Sequence, residues 1–269
     1  MGLASIVSKL LFCRQIARTP GTFVRLVVHS RAAAQHSVCP TTAQKTVQTD
    51  YLFNLANAPN STALRTYAGD LSILYEVFWQ QSYNVPQLRV GTFRTVVDVG
   101  ANVGLAALFF LKKFPGAQLI CLEPEPTNFR LLQHNLRGTS AIVLQAALSA
   151  TDGTVKIDSS PQAYNAKVST ETGTVEVRAV CMATLLKSQS LIWVDLLKID
   201  IEDYEQQVFG QPVAWLGQIG TLLIEIHSTT SYAAVHSAVQ TADFTWEQVA
   251  GKQADTGLFV ARNSRVVNN

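Results

Sequence analysis

The residues best equipped for chemistry stand in a few short segments. Lys198-Ile199-Asp200-Ile201-Glu202 alternates charge with isoleucine. In an extended chain, side chains two positions apart share a face, so Asp200 and Glu202 point the same way with Lys198 below them. A nearby ammonium keeps a carboxylate ionised, whereas burial or a like charge makes it more basic. Glu225 and His227 are related by the same spacing, and an imidazole suits general-base work near neutral pH. Asp200, Glu202, Lys198 and His227 are therefore the candidate catalytic groups. The structural alternative is an ion pair of Lys198 with Asp200 or Glu202. Such Asp, Glu and His groups can hold a divalent cation, but nothing in the spacing requires one and no metal is assigned.

A second constellation reads Val97-Asp98-Val99-Gly100-Ala101-Asn102-Val103-Gly104. Glycine in a strand-to-helix turn lets the backbone approach a ligand closely. The nicotinamide fingerprint G-x-G-x-x-G is not met: Asn102 holds the middle glycine position and no third glycine follows. Asp98 at the strand end repels phosphate and suits an amino group instead. Glu123 ends the next apolar run 25 residues later, where it can accept from both ribose hydroxyls. S-adenosyl-L-methionine carries that amino group, free ribose hydroxyls and a sulfonium. The expected cofactor is thus S-adenosyl-L-methionine, held by Asp98, Gly100, Asn102, Gly104, Glu123 and Pro124.

The elements that must position these groups are legible. Asp70 caps a helix over Leu71–Gln81. Thr95–Val99, Gln118–Leu122, Ile142–Leu148, Leu196–Ile201 and Leu222–His227 read as buried strands. Helices are expected over Leu105–Phe114, Thr127–Leu136, Met182–Lys187, Glu205–Phe209 and Tyr232–Gln240. Val155–Asp158 and Thr174–Val180 suggest an antiparallel insertion, and Phe244–Ala250 with Leu258–Ala261 a closing hairpin. Strands alternating with helices specify an α/β, doubly wound, mostly parallel sheet, which binds ligands at the carboxyl ends of its strands. The Leu71–Tyr83 and Ser159–Thr172 segments are placed to cover an acceptor, with Trp79, Tyr83, Tyr164 and Tyr204 as aromatic walls.

Composition excludes other classes. The chain has 269 residues, of which 48% are hydrophobic and 15% charged, so a core is affordable and general disorder is not expected. No apolar run approaches the roughly 18 residues of a membrane-spanning helix. None of the four cysteines forms a CxxC pair. The net charge of +2 is unevenly spread: residues 1–49 carry +6 with no acid, and the rest carries −4. A body that is not basic argues against nucleic acid as partner. The acid-free head suggests an organelle transit peptide (mitochondrion or plastid), a peripheral membrane contact, or a plain basic tail in a cytoplasmic protein. Pro20-Gly21 is expected to break any helix there. The segments expected are a basic extension over 1–49, a linker and lid over 50–92, and a cofactor domain over 93–265.

These motifs resemble the FkbM-type methyltransferases over about Asp70 to Arg262. The resemblance rests on the Asp98–Gly104 turn, Glu123-Pro124, Asn128 with Leu131 and Asn135, Ala147-Leu148-Ser149 with Asp152-Gly153, Leu196–Glu202, and Glu225-Ile226-His227. It implies a class I methyltransferase Rossmann-like fold, O-methylation of a hydroxyl on a small molecule or glycan, and Ala147 among the cofactor contacts. Family members commonly follow Asp-Ile-Glu with Gly-Ala-Glu. This chain has Asp203-Tyr204-Glu205, bulk that would reshape the acceptor pocket. A catalytically inactive binding protein and a nicotinamide oxidoreductase are the rival expectations.

Overall fold

A computed structural model describes residues 3–38, 47–55, 61–88, 93–158, 167–168 and 173–267. Its elements run α1 (Leu3–Ile16), α2 (Pro20–Val38), β1 (Gln48–Tyr51), β2 (Thr62–Arg65), α3 (Asp70–Leu74), β3 (Thr95–Val99), α4 (Leu105–Lys113), β4 (Gln118–Leu122), α5 (Pro126–Asn135) and β5 (Ile142–Leu144). They continue with β6 (Ala147–Ser149), β7 (Gly153–Asp158), β8 (Lys167–Val168), β9 (Val175–Cys181), α6 (Met182–Ser188), β10 (Val194–Ile199), α7 (Glu205–Phe209) and β11 (Ile219–Ile226). Last come α8 (Thr229–Thr241), β12 (Phe244–Gln253), β13 (Thr256–Asn263) and α9 (Ser264–Val267).

The central sheet has seven strands in the order β12-β13-β11-β10-β3-β4-β5. All neighbours from β11 to β5 are parallel, and β13 closes the edge antiparallel between β11 and β12. The doubly wound sheet and its closing hairpin are as expected. Chain direction across the sheet reverses at β3 and β10, so the ends of these two strands form the switch point where such sheets bind ligands.

Side chains alternate across the two faces. Val96, Cys121, Leu196 and Leu223 point into one core with α4, and Val97, Ile120, Leu197 and Ile224 into another. α4 is apolar nearly all round, and Leu105 through Leu111 are all buried. Such a helix must lie inside, and a further layer covers it. Phe78 and Tyr83 from that layer pack edge-on against Phe109. Each large apolar side chain so buried contributes about 1.5–3 kcal/mol.

Four local expectations need correction. Pro20-Gly21 starts a helix rather than breaking one. Thr19 Oγ1 accepts from the Thr22 N–H at 3.2 Å, and Pro20 sits at the first helical position, where its missing N–H costs nothing. The stretch read as a linker contains the antiparallel pair β1–β2, too short and irregular to show a period. The helix expected over Leu71–Gln81 is α3 followed by a π-helical turn over Tyr75–Trp79. Gly69 occupies its cap position, because the Asp70 carboxylate binds Arg65 instead. The single strand expected over Ile142–Leu148 splits into β5 and β6, and β6 joins a separate four-stranded sheet, β6-β9-β7-β8.

The basic head packs onto the body. Cys13, Ile16 and Leu26 join the core that surrounds α4. Tyr75 bonds both helices, with its hydroxyl 3.2 Å from Cys13 Sγ and 2.6 Å from Ser30 Oγ. The Tyr51 hydroxyl meets His29 Nδ1 at 2.6 Å.

Candidate active site

β3 ends at Val99 and the chain turns through Gly100, whose φ is +75°. A Cβ at this position would overlap the Asp200 carbonyl oxygen, so only glycine lets the two strand ends close together. Asn102 follows with φ +51°, a conformation asparagine tolerates better than most residues. Gly104 caps α4 at φ +90°, and a Cβ there would stand 3.0 Å from Leu132 on α5. Gly100, Asn102 and Gly104 thus give this turn its tight, left-handed course.

Glu123 lies just past β4 and is almost fully buried. Its Oε2 accepts from the Asn102 N–H at 2.8 Å and its Oε1 from the Glu125 N–H at 2.9 Å. Burial outweighs these bonds and pushes its pKa up to about 7. Pro124 leads directly into α5, whose cap Glu125 accepts from the Asn128 N–H at 2.6 Å. Ala147 opens β6, three residues beyond Leu144, whose carbonyl accepts from the Glu123 N–H at 3.1 Å.

Behind this turn lies a buried polar network that sequence reasoning missed. Arg65 makes a two-pronged pair with Asp70 at 2.8 and 3.0 Å and donates to Asn128 Oδ1 at 2.8 Å. Asn128 in turn faces Glu123 at 3.5 Å. Asn135 bonds both backbone groups of Ala63 and donates to the Val103 carbonyl at 2.8 Å. The signal available was two asparagines seven residues apart on one helix face, polar where the core was expected.

The expected catalytic residues do converge. Lys198 Nζ lies 3.1 Å from Asp98 Oδ1, 3.7 Å from Asp200 Oδ2 and 2.9 Å from the Gly100 carbonyl. Lys198 and Asp98 are both sealed from solvent. Burial by itself would lower the lysine pKa, but Asp98, Tyr83 and Asp200 more than offset that, and it rises above its ordinary value. The ion pair weighed as the structural alternative is thus present, with Asp98 as its nearer partner. Asp98 lies beside Lys198 in register, which the sequence could not show.

His227 Nε2 lies 3.7 Å from both Asp200 Oδ1 and Glu202 Oε2. Its Nδ1 is 3.4 Å from Glu205, a fully buried carboxylate at the start of α7. Burial lowers the imidazole pKa, but Glu205, Asp200 and Glu202 together raise it to about 9. With no cation bound, His227 therefore holds its proton at neutral pH rather than taking one. Asp200, Glu202 and His227 also offer three ligand atoms within 4.8 Å of one another, a set able to hold a divalent cation.

Two further carboxylates belong to this cluster. Burial and the Asp200 charge raise the Glu225 pKa to about 7. Glu76 on the π-helical turn is raised by burial and by Asp200. Tyr83 is fully buried and its hydroxyl is held well above its usual pKa. Tyr204 packs beside the second core, and Trp79 donates to Ser8 of α1 at 3.2 Å. Tyr164 and most of Ser159–Thr172 lie outside the described residues.

Asp203, where a glycine was expected from the resemblance, has φ +75° and an exposed side chain. Glycine enters that conformation freely, and aspartate is one of the few others that does.

Comparisons with known proteins show the family. The sequence pattern described as the methyltransferase FkbM domain matches residues 98–248. The hexuronic acid methyltransferase AglP of Haloferax volcanii is 30% identical over 135 residues, covering 49% of this chain and 55% of that protein. The methyltransferase sdnD of Sordaria araneosa is 34% identical over 89 residues, covering 32% and 34%. The 31-O-demethyl-FK506 methyltransferase FkbM of Streptomyces tacrolimicus is 27% identical over 209 residues, covering 63% and 80%. The chain thus spans about a third of sdnD and just over half of AglP.

Proposed function

Because this chain belongs to the FkbM methyltransferase family, we propose that it transfers a methyl group from S-adenosyl-L-methionine to a hydroxyl oxygen of a small molecule or glycan. The observation that carries the reading is the junction of Gly100 with Asp200. It sets a cofactor-type turn directly against a carboxylate cluster at the ends of β10 and β11. The names of AglP and of the Streptomyces relative support a glycan or hydroxyl acceptor.

The residues fit the cofactor. Gly100 and Gly104 keep the turn free of side chains, and the Asn102 side-chain oxygen is buried with no hydrogen-bond partner. Glu123 faces that turn with both oxygens fixed by backbone N–H groups and lone pairs still available for ribose hydroxyls. When bound, the cofactor supplies a methyl group activated by a sulfonium.

Asp200, partly exposed between Lys198 and His227, orients the acceptor hydroxyl. A carboxylate of the cluster formed by Asp200, Glu202 and Glu225 receives the hydroxyl proton. Lys198 and Glu205 are positioning residues: the first fixes Asp200, the second fixes the His227 ring.

The test incubates the full chain with labelled S-adenosyl-L-methionine and a panel of polyols, sugars and cell-extract metabolites. Label is expected on a hydroxyl oxygen, and Asp200→Asn is expected to abolish it while calorimetric cofactor binding persists. Absence of cofactor binding, or label on nitrogen or carbon, would overturn the proposal.

A further inference from the structure

The first two helices carry a surface that the methyl-transfer reading leaves unused. Their inner residues Cys13, Ile16 and Leu26 are buried against the body. Their outer residues include Ile6, Val7, Leu10 and Leu11 on α1, and Val24 and Val28 on α2, each at least 40% exposed. Among the described residues, only three other large hydrophobics are exposed to a comparable degree, and they are scattered. Singly exposed apolar residues are ordinary, but six of the nine exposed large hydrophobics among the described residues fall on this one pair of helices.

The same face is cationic. Arg14 and Arg18 on or just after α1, and Arg25 and Arg31 on α2, are all exposed. Val7, Leu11, Arg14 and Arg18 follow one another at helical spacing along one stripe, and Val24, Val28 and Arg31 along another. No Asp or Glu occurs before Asp50. Aliphatic residues interleaved with arginines, without any acid, match the boundary of an anionic bilayer. There the apolar tips enter the acyl region while the guanidinium groups extend to phosphates. A nucleic acid would satisfy the arginines but leave the aliphatic side chains against a polar backbone. No described helix is long and apolar enough to cross a membrane, so the contact is peripheral.

We propose that α1 and α2 dock the protein on an anionic phospholipid surface through Val7, Leu11, Val24, Val28 and the four arginines. Lysines and arginines near such a surface each contribute about 1 kcal/mol, or roughly a five-fold change in binding. The docking helices are held to the body by Tyr51 and Tyr75, so the surface is part of the folded protein.

The experiment is flotation of the full chain with vesicles of phosphatidylcholine alone or mixed with phosphatidylserine, at low and physiological salt. The protein is expected to float with the anionic vesicles, weaken as salt rises, and stay behind with the neutral ones. Arg14→Gln and Arg25→Gln should each lower binding about five-fold, and the Leu11→Asp, Val28→Asp double variant should abolish it. Unchanged melting temperatures would show that these surface variants remain folded. Equal flotation of wild type and variants would overturn the proposal. So would failure to float, coupled with a concentration-dependent dimer that the double variant dissolves, because the patch would then be covered by a second copy of this chain.

Discussion

The Lys198 ammonium lies 3.1 Å from the Asp98 carboxylate on the neighbouring strand, and neither side chain reaches solvent. Removing one member of a buried pair strands the other charge, at a cost of about 3–5 kcal/mol. Lys198→Met is therefore expected to destabilise the protein by that order in urea denaturation. Adding Asp98→Asn should restore most of the loss, because two neutral side chains leave no orphan charge. A double variant no more stable than the single one would show that the pair is not the source of the cost.

Gly100→Ala should be far worse than its size suggests. The left-handed backbone costs a side chain on the order of 1–3 kcal/mol, and the added methyl overlaps the Asp200 carbonyl oxygen. Cofactor affinity is expected to fall about ten-fold or more by calorimetry. Gly138→Ala shares the positive φ but has open space, so it should leave affinity unchanged.

Acid should weaken cofactor binding. Glu123 must be ionised to accept from two hydroxyls, and burial holds its pKa at about 7. Affinity should climb as pH rises through 7 and level off above it. Stability runs the other way. The folded state binds the Glu123 proton more tightly than the unfolded state, so this stabilisation is complete below the pKa of an exposed glutamate and is lost as pH rises through 7. Glu225 has the same sign. Glu123→Gln should flatten the lower part of the affinity profile, as measured by calorimetry across pH 5.5–8.5, a range set by roughly 1.5 pH units either side of that pKa.

Turnover should survive chelation. With no cation bound, the His227 imidazolium supplies the positive charge between Asp200 and Glu202 that a cation would otherwise supply. Dialysis against a strong chelator is expected to leave activity intact. Loss of activity with recovery on adding magnesium would assign these three residues to a metal instead.

Much of this was legible in the sequence because its signals are local. β3 and β4 match their expected limits, since short apolar runs bounded by Gly and Pro leave little choice. Asp200, Glu202 and His227 converge, but not by the alternation expected of a strand: β10 ends at Ile199, and Glu202 reaches the cluster from a turn in which its own φ is +53°. What stayed hidden depends on partners distant in sequence. Asp98 reads as a ligand-facing acid until β10 sets Lys198 beside it. Glu205 was legible only as the start of a helix, and it supports the His227 ring. His227 reads as a base at its intrinsic pKa, and three neighbouring carboxylates reverse that. Arg65, Asp70 and Asn128 carry no joint signal, because 63 positions separate the first from the last.

The bonds from Asn135 to Ala63 and Val103 bear on how this protein can be cut. The family pattern begins at Asp98, which makes a shortened fragment attractive. Such a fragment would leave the Asn135 amide half unmatched beside the cofactor turn, and would uncover α4 along its outer side. Solubility and cofactor affinity should fail together in it. The smallest useful version of this protein therefore starts ahead of β1, although the family pattern starts within β3.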